Sequence, residues 1–200
     1  MKTVNVICAG KDGVGKSYLT GLLYLKLKNY EDVLFYDLDH DPYIYGHLPR
    51  EKVRRLDFYQ GRWPSNYNGE IFYNLFDEAS KSNESYFIAD TGQRESYEIV
   101  RLMNYSFSAE EFKIELDLLK IKLHFHVVMS SEIGALEYFK ELKEAINGNF
   151  GITVWINKGS FYYSEDARIK EFYRLRSENI KVETFCSALK PERNGLLTEG

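Results

Sequence analysis

The chain has 200 residues, of which 44% are hydrophobic and 28% are charged, and this balance predicts one globular domain with a full hydrophobic core. Its formal net charge of −4 argues against a protein that coats nucleic acid non-specifically. No apolar run approaches the ~20 residues that a helix needs to cross a membrane. The N-terminus lacks a signal-peptide pattern, and the two cysteines are too few for a disulfide framework or a zinc site. We therefore expect a cytoplasmic protein with reduced thiols.

Apolar runs that predict buried strands alternate along the chain with amphipathic helix patterns. The predicted strands cover residues 3–9, 32–39, 85–92, 123–130, 151–159 and 179–185. The helix patterns cover residues 16–29, 69–82, 94–120 (with a break), 132–147 and 163–177. This alternation predicts an α/β fold, a doubly wound and mostly parallel sheet with helices on both faces, in a single domain over residues 1–200. Residues 43–68 show no clear element, and the role of the aromatic-rich region 43–73 stays open.

The first predicted strand runs into a glycine-rich loop, GKDGVGKS, at residues 10–17. Gly10, Gly15, Lys16 and Ser17 match the phosphate-binding pattern G-x-x-x-x-G-K-[ST]. Glycines let consecutive N–H groups turn toward phosphate oxygens, and the helix that begins near Lys16 adds its positive end. Lys16 would serve the β- and γ-phosphates, while the Ser17 hydroxyl can bind Mg²⁺. The residues expected to line the nucleotide are Gly10, Lys11, Asp12, Gly13, Val14, Gly15, Lys16, Ser17 and Tyr18.

Two later strands end in carboxylates. The stretch VLFYDLDHDP carries Asp37, Asp39 and Asp41, and YFIADTG carries Asp90 at the end of its apolar run. Ligands of doubly wound sheets bind at the carboxyl ends of the strands, so these side chains are candidates for the ligand site. The alternative for the first group is a polar loop after a strand, in which Asp41 simply begins a turn.

The loop KDGVGKS resembles the K-G-G-V-G-K-[ST] loop of the deviant Walker A ATPases, the ParA/MinD group. The resemblance implies ATP and Mg²⁺ as cofactors and a homodimer that forms on ATP binding. In that dimer Lys11 would reach the partner's phosphates, where a cation stabilises phosphoryl transfer. By the same resemblance Lys11, Lys16 and Asp39 would be the catalytic residues, with Asp39 orienting the attacking water, and Ser17, Asp39 and Asp90 would hold the metal or its water shell.

Two further stretches resemble parts of the adenine site of that family. Asn157 ends the stretch VWIN, where its amide would meet the base, and the region around Pro191 resembles the family's closing loop, in which backbone atoms contact the base. The alternative for Asn157 is a residue that begins a turn.

The sequence departs from the family pattern at two places. Asp12 stands where the family usually has glycine, and a carboxylate there is unfavourable near a γ-phosphate unless it points outward or toward Lys11. Gly92 and Gln93 follow Asp90-Thr91, where relatives usually continue with proline. Both departures lie in the region expected to contact the γ-phosphate.

The leading hypothesis is an ATP-binding, slowly ATP-hydrolysing dimerisation switch that positions plasmid DNA or a protein complex, with a protein activator. A second is an ATP-dependent metabolic enzyme of the dethiobiotin-synthetase type, which would require a small-molecule acid. A third is a nucleotide-binding module without hydrolysis, which Asp12 favours. The basic residues at 49–55 and 167–176 are candidates for non-specific DNA contacts, although such charge runs are usually solvated faces.

Overall fold

The computed structural model describes residues 1–56, 70–132, 134–161, 167–178 and 180–187, and in these ranges seven strands form one sheet. The strands are β1 (Lys2–Cys8), β2 (Val33–Asp37), β3 (Val53–Arg55), β4 (Tyr86–Asp90), β5 (Ile121–Met129), β6 (Gly151–Asn157) and β7 (Lys181–Phe185). Their order in the sheet is β3-β2-β4-β1-β5-β6-β7, and all six neighbouring pairs are parallel. The carboxyl ends of the strands therefore lie at one edge, where the glycine loop and the acidic strand ends meet.

Helices cover both faces of this sheet. They are α1 (Lys16–Leu27), α2 (Ile44–His47), α3 (Glu70–Lys81), α4 (Gln93–Tyr105), α5 (Ala109–Leu118), α6 (Gly134–Ile146) and α7 (Ala167–Arg174). Side chains that alternate along the strands enter two separate cores. Val4 and Val6 of β1 pack in the larger core with α3 to α7, whereas Ile7 packs in the smaller core with α1 and α2. The predicted fold class, a doubly wound parallel α/β sheet, is confirmed.

The prediction missed two short elements, α2 and β3, in a region that it left without structure. A four-residue helix and a three-residue strand are too short to show periodicity, and β3 is defined by its pairing with β2. The break expected within 94–120 is confirmed at Ser108, whose hydroxyl accepts from the backbone N–H of Glu111 as the cap of α5. Residues 57–69 of the aromatic-rich region lie outside the described residues, and the role of the region stays open.

A chain of polar side chains crosses β6, β5 and β1 on the sheet face that carries α1. Trp155 donates its indole N–H to Nδ1 of His126 at 2.9 Å, and His126 Nε2 lies 3.0 Å from Oδ1 of Asn5. Because indole is only a donor, Nδ1 of His126 must be the acceptor and the ring must carry its proton on Nε2. Burial accordingly lowers the pKa of His126 to about 3, so the ring is neutral.

Among the described residues, no helix combines the length and the apolar character that crossing a membrane requires.

Candidate functional site

The glycine loop after β1 has the backbone of an anion-binding nest. Gly13 and Gly15 have φ angles of 72° and 106°, which side chains of L-residues rarely adopt, and α1 begins directly after Gly15. Gly10 is required for a different reason, since a Cβ atom there would lie 2.4 Å from Cβ of Tyr138 and 2.9 Å from the carbonyl oxygen of Gly134. The loop can therefore present its N–H groups to a phosphate.

Lys16 is held at the centre of this loop with only 6% of its surface exposed. Its Nζ donates to the carbonyl oxygen of Lys11 at 3.1 Å and lies 3.5 Å from Oδ1 of Asp12. The side chains of Lys11 and Asp12 are both exposed. Lys16, which the sequence pattern assigns to phosphate binding, thus already lies inside the nest, where the Asp12 carboxylate partly neutralises its charge.

Asp12 also joins the loop to the start of α4. The backbone N–H of Gln93 donates to Asp12 Oδ1 at 3.0 Å, and the backbone N–H of Asp12 donates to Oε1 of Gln93 at 3.3 Å. The Asp12 carboxylate therefore points to Lys16 and Gln93, rather than only outward or toward Lys11 as the sequence suggested. The side-chain oxygen and the backbone N–H of Gln93 are therefore both engaged in hydrogen bonds with Asp12.

Asp90 lies at the end of β4 with no exposed surface, next to the start of α1. The Thr20 hydroxyl donates to its Oδ1 at 2.9 Å, while its Oδ2 has no hydrogen-bond partner among the described residues. Burial raises the pKa of Asp90 to about 7, although the nearby Ser17 and Thr20 hydroxyls and the Lys16 charge lower it. A buried carboxylate oxygen without a partner, beside a hydroxyl, fits a magnesium ion or its bound water.

Asp37 and Asp39 take different places at the end of β2. Both oxygens of the buried Asp37 accept backbone N–H groups, from Asp39 at 3.2 Å and from Tyr45 at 2.8 Å, so this residue fixes the loop after the strand. Asp39 is only partly buried, and its Oδ1 accepts from the N–H of Asp41 at 3.1 Å. Burial raises the pKa of Asp39, whereas the positive charge of Lys16 lowers it. Asp39 therefore lies within electrostatic reach of Lys16 in the nest.

Glu95, in the first turn of α4, was not predicted. It is 1% exposed, and its Oε1 has no hydrogen-bond partner among the described residues. Burial raises the pKa of Glu95 to about 7, and the negative charge of Asp39 raises it further. The sequence offered only a glutamate near the start of a helix, which is ordinary on a surface, so no signal marked this residue.

Asn157 is buried at the end of β6 and is fully engaged inside the protein. Its Nδ2 donates to the carbonyl oxygen of Val14 at 2.8 Å and to the Ser187 hydroxyl at 2.9 Å, and its Oδ1 accepts from the N–H groups of Gly159 and Ser187. The side chain thus ties the phosphate loop to the segment after β7. Adenine recognition by Asn157 stays a prediction and requires some of these bonds to be exchanged for the base.

The aromatic rings of Tyr18 and Phe185 lie beside the hydrogen bonds of Asn157. Their ring centroids are 6.1 Å apart with an interplanar angle of 21°, and Tyr18 is 37% exposed. The placement of Tyr18 is compatible with its predicted contact to the nucleotide. The other predicted base contact, Pro191, lies outside the described residues.

The described residues contain no group of three or more His, Cys, Asp and Glu side chains placed to hold a metal ion.

The basic stretches proposed for DNA are partly engaged within the chain. Arg54 pairs with Glu78 at 3.5 Å, and Arg176 donates to the carbonyl oxygen of Val182 at 3.1 Å. Lys170 is exposed on α7. Because two of these cations have intramolecular partners, the DNA hypothesis stays a prediction without structural support.

Solved structures with this architecture include plasmid partition proteins, signal recognition particle proteins and a cell division protein. A plasmid partition protein from Borrelia burgdorferi superposes with a TM-score of 0.56 at 13% identity, covering 93% of this chain and 91% of that chain. The chain has the fold of the ParA/MinD-type P-loop NTPases. A putative plasmid partition protein from B. burgdorferi B31 bound to AMPPNP (TM-score 0.51, 15% identity) covers 99% and 92% of the two chains. MinD from Aquifex aeolicus (TM-score 0.50, 16% identity) covers 90% and 79%.

No protein-family model and no curated protein sequence matches the chain significantly. The ParA/MinD-type likeness therefore rests on the fold, together with the loop and strand-end motifs.

Proposed function

We propose that the protein is an ATP-binding and slowly ATP-hydrolysing dimerisation switch of the ParA/MinD type. The observation that carries this proposal is the position of Lys16, which is 6% exposed inside a glycine nest and electrostatically coupled to both Asp90 and Asp39. A buried cation among backbone N–H groups at a helix start is suited to the β- and γ-phosphates of a nucleotide. The nearby carboxylates of Asp90 and Asp39 would bind the metal ion and orient the attacking water in the same site.

Binding would exchange the present partners of Lys16 for phosphate oxygens. Ser17 and Asp90 would hold Mg²⁺ or its bound water, with Asp39 beside them, and Asp39 would orient the attacking water. When bound, Mg²⁺ would neutralise charge on the phosphate oxygens during transfer. Asp37 would keep Asp39 in place, because its own oxygens fix the backbone of that loop.

Lys11 would act across a homodimer. Its backbone carbonyl accepts from Lys16 while its side chain is exposed, so the cation is available at the surface of the loop. A lysine supplied by the partner subunit would couple hydrolysis to dimerisation.

The AMPPNP-bound neighbour supports an adenosine triphosphate as the ligand. The plasmid partition neighbour and the cell division neighbour MinD support a role in positioning plasmid DNA or a protein complex. We expect a separate protein to activate hydrolysis.

A nucleotide-binding module without hydrolysis is the second candidate. The observation that favours it is the contact of the Asp12 carboxylate with Lys16, which places a negative charge beside the expected position of the γ-phosphate. Retention of ATP without phosphate release, in the presence of Mg²⁺, would select this candidate over the switch.

Calorimetry with Mg²⁺ and ATP, together with light scattering, tests the proposal on three lysine variants. Lys16→Ala should weaken ATP binding by about 100-fold, because it removes a charge-assisted contact worth roughly 3 kcal/mol. Lys11→Ala should bind ATP with nearly normal affinity but should lose ATP-dependent dimerisation. Lys26→Ala, at the exposed far end of α1, is the matched control and should change neither.

Two results would contradict the proposal. If the wild-type protein binds no purine triphosphate in the presence of Mg²⁺, the function is wrong. If Lys11→Ala still dimerises with ATP and turns it over normally, the role of Lys11 in the partner's site is wrong.

A further inference from the structure

A buried threonine on α1 contacts the carboxylate that ends β4. Thr20 has no exposed surface, and its hydroxyl donates to Oδ1 of Asp90 at 2.9 Å. The same hydroxyl oxygen lies 3.2 Å from the carbonyl oxygen of Lys16, one turn earlier on α1. A hydroxyl carries one proton, and a bond to a carboxylate is the stronger of the two, so we assign the proton to Asp90.

The backbone of α1 fixes the direction of this hydroxyl. A threonine in a helix takes one of two side-chain rotamers, and Oγ1 can reach a carbonyl oxygen of the preceding turn. The 3.2 Å contact with the Lys16 carbonyl shows that Thr20 reaches it. The donor is therefore held by the helix that carries the phosphate lysine, and it determines the orientation of the Asp90 carboxylate.

The two oxygens of Asp90 have different surroundings as a result. Oδ1 accepts from Thr20, whereas Oδ2 is buried and has no hydrogen-bond partner among the described residues. The last torsion of an aspartate side chain is broad and nearly two-fold, so either oxygen could otherwise serve a ligand. A donor fixed on Oδ1 removes that freedom and leaves Oδ2 for the ligand.

We propose that Thr20 is a positioning residue of the metal site, which holds Oδ1 of Asp90 so that Oδ2 serves Mg²⁺ or its bound water. This role rests on the proposed function, in which Ser17 and Asp90 serve the same ion. Removing a group that orients a metal-binding residue typically weakens metal affinity by about 10- to 100-fold. Thr20 acts through Asp90 and is not itself a ligand.

A purely structural role of Thr20 makes a different prediction. If the hydroxyl only satisfies a buried carboxylate, its removal should lower the Tm and leave the contribution of Mg²⁺ to ATP binding unchanged. The positioning role also lowers the Tm, but in addition it makes Mg²⁺ less effective. The contribution of Mg²⁺ to ATP binding is therefore the quantity to measure.

Calorimetry gives this quantity as the Kd of ATP in EDTA divided by the Kd of ATP in excess Mg²⁺. Free ATP itself binds Mg²⁺, so only the change of this ratio between variants reports the part that the protein plays. Thr20→Val keeps the shape of the side chain without the hydroxyl and should lower the ratio by about tenfold, with the Kd in EDTA within about twofold of the wild-type value. Thr20→Ser keeps the hydroxyl and should stay within about threefold of the wild-type ratio.

Thr153→Val is the matched control. Thr153 is also a buried threonine, and its hydroxyl lies 2.8 Å from Nε2 of His124 on β5, away from the phosphate loop. Its replacement should leave the ratio within about twofold of the wild-type value. In an Asp90→Asn background, Thr20→Val should change the ratio no further, because Thr20 acts through that carboxylate. If Thr20→Val does not fold, Thr20→Ala, which adds no atoms, replaces it with the same expected loss.

Three results would overturn the positioning role: a wild-type ratio in Thr20→Val, an equal loss in Thr20→Ser, or an equal loss in Thr153→Val. Each of these leaves the proposed function intact when the wild-type protein binds ATP more tightly with Mg²⁺. A wild-type protein that binds ATP equally well in EDTA and in Mg²⁺, or that binds no ATP, would instead reject the metal site or the proposed function, and the role of Thr20 with it.

Discussion

Replacing Asp12 by alanine should strengthen ATP binding. In the nucleotide-free protein the Asp12 carboxylate lies 3.5 Å from Nζ of Lys16 and accepts the N–H of Gln93 at 3.0 Å. A triphosphate needs the same lysine, so the carboxylate must first give up its contact. Asp12 does not have a positive φ angle, and alanine therefore fits the loop without backbone strain.

The size of the effect follows from the exposure of the contact. The Asp12 side chain is 72% exposed, so its ion pair with Lys16 contributes at most about 1 kcal/mol. Its hydrogen bond to the Gln93 N–H contributes about another 1 kcal/mol at this exposure. Removing both should tighten ATP binding by about 5- to 30-fold.

Asp12→Asn separates the two contributions. Its amide oxygen can still accept from Gln93, but the charge opposite Lys16 is lost, so the gain should be only about fivefold. Asp41→Ala is the control, because it removes a negative charge from the same edge of the sheet without touching Lys16.

Isothermal titration calorimetry at two salt concentrations measures these affinities. The reasoning would be refuted by an Asp12→Ala variant that binds ATP no more tightly than the wild-type protein. It would equally be refuted by an Asp41→Ala variant that gains as much, since the effect would then be general charge and not a contact with Lys16.

Three further predictions concern stability. Gly92→Ala should lower the free energy of unfolding by about 1–3 kcal/mol in urea titrations, because its Cβ would meet two carboxylates. Gly21→Ala, in open space on α1, is the control and should raise the free energy of unfolding by up to about 1 kcal/mol. Equal effects of the two substitutions would contradict the close packing around Gly92. With a pKa of about 3 in the folded state and about 6.5 unfolded, His126 binds a proton more readily when unfolded, so its own contribution to stability should fall by about 2 kcal/mol between pH 7 and pH 5. The raised pKa values of Asp90 and Glu95 act in the opposite direction, so the measured quantity is the difference in unfolding free energy between the wild-type protein and His126→Gln. That difference should change by about 2 kcal/mol over this pH range, and an unchanged difference would contradict the neutral ring. Asn157→Ala should lower the unfolding free energy by about 1–3 kcal/mol even without nucleotide, because the Val14 carbonyl loses its buried donor; no loss would reject the structural role.

The strands were predictable because buried parallel strands are continuous apolar runs. β2 and β4 each end in an aspartate, and the sequence placed both within two residues of their observed ends. The short α2 and β3 could not be predicted, since neither is long enough for a periodic signal and β3 depends on a neighbour that lies far along the chain.

The candidate site was predictable where one local stretch builds it and unpredictable where tertiary packing decides. The nest, Lys16 and Ser17 come from eight consecutive residues whose glycine spacing carries the chemistry. Glu95 becomes unusual only because the fold buries it against Asp39, which is remote in sequence. The orientation of the Asp12 carboxylate likewise depends on the start of α4, because Gln93 lies far along the chain and no local pattern could place it beside Asp12.

The contacts of Asp12 and Glu95 give the start of α4 two connections to the ligand site. Oδ1 of Asp12 accepts the N–H of Gln93 and also lies 3.5 Å from Nζ of Lys16, so a phosphate that takes Lys16 would remove one of the two partners of this oxygen. Glu95, two residues further along, is buried beside Asp39 at the end of β2. The first turn of α4 thus contacts Asp12, which a phosphate would separate from Lys16, and Asp39, which we expect to orient the attacking water. A nucleotide that binds two arrangements of this turn with different affinities would shift the balance between them.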